Sequence, residues 1–75
     1  PSSAVSARIS ALEAEREAVF AYGVVGSQVP DPQRSYALAA LAEHRAILAA
    51  LLARDETLAA QRVSEHFASG LQAAA

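Results

Sequence analysis

Seventy-five residues with a net charge of −2, no cysteine and six arginines spread along the chain describe one small domain or a piece of a larger one. They exclude a disulfide framework, thiolate metal chemistry and a basic patch able to grip a phosphate backbone. Hydrophobic residues make up 53% of the chain, but alanine dominates them and buries little area per residue, so the core is weaker than that share suggests.

The chain starts at Pro1 rather than at methionine, which reads as excision from a longer polypeptide. No apolar run of ~20 residues and no signal pattern stand out, so no membrane partner is expected and the chain reads as cytoplasmic.

The first predicted helix covers about residues 4–25. It opens after "PSS", whose serines can cap the first free amides. Val5, Ile9, Leu12, Val19 and Gly23 form its apolar and small stripe, interrupted by Arg16. Helix character fails at "YGVVGSQVPDP", where glycines, β-branched valines and prolines accumulate.

A second helix is predicted over residues 32–54, with Asp31 as N-cap and Pro32 at the first helical position, where its missing N–H costs nothing. Its stripe reads Ala37, Leu41, His44, Leu48 and Leu51. The third covers 56–69, with Asp55 as N-cap and Glu56 placed to suit the helix dipole. Its stripe is Ala59, Val63, His66 and Gly70; Gly70 reads as a stop and the "LQAAA" tail as frayed.

Short connections between consecutive helices give an antiparallel, up-down-up order. The fold class is therefore all-α, three antiparallel helices forming part of a helical bundle, with no DNA-binding domain among these residues. Three alanine-rich helices cannot cover all of Leu41, Leu48, Leu51 and Val63, so a homo-oligomer or a weakly stable monomer is expected.

The two histidines carry most of the functional content. His44 lies eleven residues before Asp55 and His66 eleven after it, so a hairpin turning at Asp55 sets both at one height on inward stripes. Helix axes ~8–10 Å apart let two such imidazoles reach one ion. Two ligands alone do not make a tight site, and the bland alternative is a pair of half-buried histidines hydrogen-bonded to Glu43, Glu65 or a backbone carbonyl.

Glu43, His44, Ile47, Ala50, Leu51, Asp55, Ala59, His66 and Phe67 resemble the last two helices of the FCD ligand-binding domain of GntR-type transcription regulators. That resemblance implies an all-α effector domain of a dimeric regulator, with His44 and His66 as metal ligands. The implied metal is divalent, zinc first and nickel or another transition metal next. A small carboxylate metabolite would bind at it, and DNA would be reached only through a winged-helix domain absent from this chain. The Asp and the further His that complete that family's site have no counterpart here.

A second resemblance competes. "AEREAVFAYGVVGSQ", Ala14–Gln28, is similar to the first helix of an uncharacterised actinobacterial ferritin-like domain, and "AALAEHRAILAALLA" can serve as its second. It implies a four-helix bundle. Di-iron chemistry there needs a Glu-x-x-His pair, which this chain lacks. The alternative function is thus a ferritin-like or plain helical self-association domain without metal or catalysis.

Nothing else in the sequence points to an enzyme. Glu13, Glu15 and Glu17 read as a solvated face relieved by Arg16. Tyr22 and Tyr36 flank the loop and read as packing residues, and neither the serines nor the "YGVVG" glycines sit in a nucleophile or phosphate-binding motif.

Overall fold

The computed structural model describes residues 3–74, with side chains through residue 72. Three helices follow one another, α1 (Ser3–Gln28), α2 (Gln33–Leu52) and α3 (Glu56–Ala74), and no strand occurs among the described residues. The fold is all-α. Cross-helix contacts give the antiparallel order directly: Arg8 near the start of α1 donates to the Leu51 carbonyl near the end of α2, and Gly26 near the end of α1 meets Ala37 and Leu38 near the start of α2.

The first helix runs past residue 25, through Gly26 to Gln28; of the residues expected to break it, Gly26 is held against α2, while Val24 and Val25 stay exposed along the helix. Gly26 is the buried residue of α1. A Cβ there would stand 3.3 Å from Leu38 Cδ2 and 3.6 Å from Ala37 Cβ, so its missing side chain is what brings the two helices together at this end. The capping role expected of the opening serines falls partly on Ser2, outside the described residues.

Asp31 does act at the start of α2, but one step displaced from the expected cap. Its Oδ1 accepts from the Ser35 amide at 3.2 Å and the Ser35 hydroxyl at 2.6 Å, while Pro32 occupies the capping position itself. The turn between α2 and α3 is a tight double device. Arg54 takes φ 60°, its amide returns to the Leu51 carbonyl, and the Asp55 amide returns to Ala50; this is the Schellman arrangement that closes a helix. Asp55 then caps the next helix, its Oδ1 accepting from the Leu58 amide at 2.9 Å.

Gly70 does not stop α3, which continues to Ala74. Its backbone has no positive φ, so it sits in the helix like any other residue. The end of the tail, Ala75, lies outside the described residues.

The middle helix is the shared neighbour. Both α1 and α3 pack on α2, yet among the described residues no Cα of α1 lies within 8 Å of α3. Among the described residues, the two outer helices are thus joined only through α2. The buried core is correspondingly thin: Ala37, Leu41, Ile47 and Ala50 from α2 and Ala59 from α3.

Two expectations are corrected here. Leu41 is buried and Leu48, Leu51 and Val63 are half-buried; the large apolar side chains left exposed are others, including Ile9, Phe20, Tyr36, Phe67 and Leu71. In addition α2 is, by length and composition, apolar enough to cross a bilayer, against the expectation that no such run is present. Packing on two sides uses part of that composition, burying Ala37, Leu41, Ile47 and Ala50, while Leu38 and Leu52 remain exposed.

Replacing Arg54 with glycine should relieve the left-handed backbone and stabilise the fold by about 0.5–1 kcal/mol, measured as a rise of a few degrees in the thermal midpoint. Conversely, Gly26→Val should force α1 away from Ala37 and Leu38 and destabilise by about 1–3 kcal/mol. An unchanged midpoint would show that the close crossing contributes nothing.

Candidate functional site

The helical register places an imidazole of α2 beside an imidazole of α3. The His44 and His66 ring centroids are 4.5 Å apart and meet edge to face. Tyr22 of α1 stacks on the other side of His44, its centroid 5.5 Å away and nearly parallel. The three rings form a short column that spans all three helices.

Each histidine is tied to a carboxylate on a different helix. The His44 Nδ1–H donates to Glu15 Oε2 at 2.6 Å, with both side chains largely enclosed. The His66 Nδ1–H donates to Glu43 Oε2, and the Ser69 hydroxyl donates to the other oxygen of Glu43 at 3.0 Å. An ionised carboxylate can only accept, so both Nδ1 atoms carry hydrogen. In the neutral tautomer this leaves a lone pair on each Nε2.

The two dyads differ in access. Glu15–His44 sits between α1 and α2, whereas Glu43–His66 lies at the surface between α2 and α3. Two shallow depressions of about 340 and 450 Å³ border the second dyad, and Glu43, His66 and Ser69 line both. Glu65, the other expected histidine partner, instead turns outward to Arg62 and Gln61.

Glu15 is the site residue that the sequence reading missed. Of the three glutamates expected on one solvated face, Glu13 and Glu17 are exposed and Glu15 is not. The signal was available in its phase: Glu15 follows Leu12 by three and precedes Val19 by four, the spacing of a residue on the packed side. Arg16, assigned to the apolar stripe, is exposed instead.

Hydrogen bonding from His66 holds the Glu43 carboxyl below its ordinary value near 4.5, helped by Ser69 and the two histidine charges and opposed by burial. The folded state therefore binds this proton less readily than the unfolded chain. Its contribution to stability is present above the ordinary glutamate range and is lost as pH falls through the depressed value. Glu43→Gln should consequently flatten the acid limb of a stability-against-pH curve, measured by thermal melts at successive pH values. An acid limb identical to that of the unsubstituted chain would show that Glu43 is uncoupled from His66.

Among the described residues, no three His, Cys, Asp or Glu side chains converge as a ready-made metal cage. Comparison with known proteins overturns the resemblance to the FCD domain. Residues 7–72, most of the chain, match the family model described as a domain of unknown function, DUF4439. The regulator resemblance rested on small and apolar residues at helical spacing around two histidines, a pattern that an antiparallel hairpin with a polar centre also produces. The carboxylate effector and the indirect DNA role lose the family from which they came. No curated protein matches the chain, and no solved structure does. With the match spanning nearly its whole length, the chain belongs to the DUF4439 family.

Proposed function

We propose that this chain is a helical metal-binding module in which His44 and His66 take a divalent transition metal, zinc in the first instance, on their Nε2 atoms. The observation that carries this reading is the pair of carboxylate–imidazole dyads, Glu15–His44 and Glu43–His66, with the two rings 4.5 Å apart. Metal-binding histidines characteristically donate their other ring nitrogen to a carboxylate, which fixes the tautomer and raises ligand basicity. Imidazole suits zinc and nickel, and bonds of about 2.0–2.1 Å to one ion are within reach of rings this close.

Two protein ligands leave at least two positions of a tetrahedral zinc for water or another donor. Such a site binds more weakly than a structural zinc and keeps the ion open to exchange. The dyads support ligand orientation, while the depressions beside His66 give a route from solvent.

The test is titration with zinc, followed by calorimetry and thermal unfolding of the wild type, His44→Ala, His66→Ala, Glu15→Gln and Glu43→Gln. Zinc should raise the wild-type midpoint, and either histidine substitution should abolish the effect. The glutamine variants should keep the histidines but weaken binding by about 10–100-fold. If zinc leaves the wild type unchanged, the imidazoles are structural partners of Glu15 and Glu43, and the chain is a self-associating helical domain without metal.

A further inference from the structure

The helix α1 has two working faces. One packs on α2 through Ala11, Leu12, Glu15, Ala18, Val19, Tyr22 and Gly26, all half-buried or buried. At 100° per residue, a second line lies about 130° further round the helix: Val5, Ile9, Glu13, Arg16, Phe20 and Val24, at spacings of 4, 4, 3, 4 and 4. Every residue on it is exposed. Ile9 is 48% and Phe20 74% exposed, which is a large apolar area for the surface of so small a chain.

Reversed, this line keeps its apolar ends and exchanges the sign of its two central charges. Its order is apolar, apolar, acidic, basic, apolar, apolar, and its spacings are symmetric about the middle. Laid antiparallel on a second copy of itself, it sets Val5 against Val24, Ile9 against Phe20 and Glu13 against Arg16, each contact occurring twice. That self-complementarity is what a two-fold, isologous interface requires. A parallel pairing would instead set Glu13 against Glu13 and Arg16 against Arg16.

The exposed area agrees with such a contact. The chain presents 5305 Å² to solvent, whereas a compact monomer of 7.8 kDa presents about 4,400 Å². The excess, about 900 Å² by the same scaling, is shared by all three helices, and four of the ten large apolar side chains left exposed, Val5, Ile9, Phe20 and Val24, lie on this one line. The shape agrees as well, with extents of 43 × 24 × 17 Å: the thinnest dimension is less than two helix diameters.

We infer that the chain forms a two-fold homodimer through an antiparallel α1–α1 contact, with Ile9 and Phe20 at its apolar centres and two Glu13–Arg16 pairs between copies. The interface lies on the side of α1 turned away from the imidazole column. It therefore stands independently of metal binding.

Charge reversal tests the register. By sedimentation equilibrium at tens of micromolar, the wild type should be a dimer, and Arg16→Glu or Glu13→Arg alone should raise the dimer Kd about tenfold by opposing like charges. The double variant Glu13→Arg/Arg16→Glu restores opposite charges at both contacts and should recover wild-type affinity. Phe20→Gln, which alters no charge, should give a monomer of unchanged helicity by far-UV circular dichroism. A monomeric wild type overturns the inference. So does a double variant as weak as the single ones, or a set of charge variants that all dimerise like the wild type.

Discussion

Packing on both sides of α2 is the constraint from which the rest of the molecule follows. A helix with neighbours on two sides but only 20 residues must bring those neighbours close, and alanine and glycine at Ala37, Ala50, Ala59 and Gly26 let it do so. Close approach has a second effect. It leaves little room for large side chains, so few atoms are buried, and polar groups become part of what joins the helices. Arg8 reaches the last turn of α2, where its guanidinium shares the Leu51 carbonyl with the Arg54 amide and its charge suits the helix C-terminus. Glu15 and His66 each reach the middle of α2.

The polar pairs serve specificity of arrangement more than stability. The more exposed Glu43–His66 pair contributes little net free energy, and both it and the enclosed Glu15–His44 pair join one helix to another in a single geometry. Glu15 can meet His44 only when α1 is in this register, and Glu43 can meet His66 only when the hairpin turns at Asp55. The Schellman turn fixes that hairpin from the backbone side, through Arg54 and Asp55. Local turn chemistry and long-range imidazole pairing thus select the same register, the agreement between levels that a small core needs to specify one fold.

Much of this was legible in the sequence. Equal separation of the two histidines from Asp55 placed their rings together, because distance from a hairpin turn sets height on two antiparallel helices. The carboxylates were harder to assign. Glu43 and Glu65 both adjoin a histidine in sequence, yet adjacent residues point about 100° apart on a helix, so each histidine looks across to another element. His66 takes Glu43, His44 takes Glu15, and Glu65 is left to Arg62. A pattern read along one helix does not show which residue of the next helix will complete it. The same limit misled the family resemblance, since histidines, leucines and alanines at helical spacing record a hairpin with a polar centre before they record any one family.

The two faces of α1 explain why its stripe was misread. Val5, Ile9, Leu12, Val19 and Gly23 do follow a helical period, but Val5 and Ile9 are exposed, and the side on α2 carries Glu15, Tyr22 and Gly26 instead. A single apolar stripe identifies one buried face; a helix that is apolar on one side and small or polar on another has two sides on which burial is possible. For α1 the intramolecular neighbour occupies the less hydrophobic one. This ordering follows from geometry: the close crossing at Gly26 and the carboxylate at Glu15 fit only against α2, where Ala37 and His44 receive them. The bulkier line through Ile9 and Phe20 cannot approach a neighbouring helix axis so closely. Its larger side chains, Ile9 and Phe20 above all, therefore stay at the surface of the three described helices.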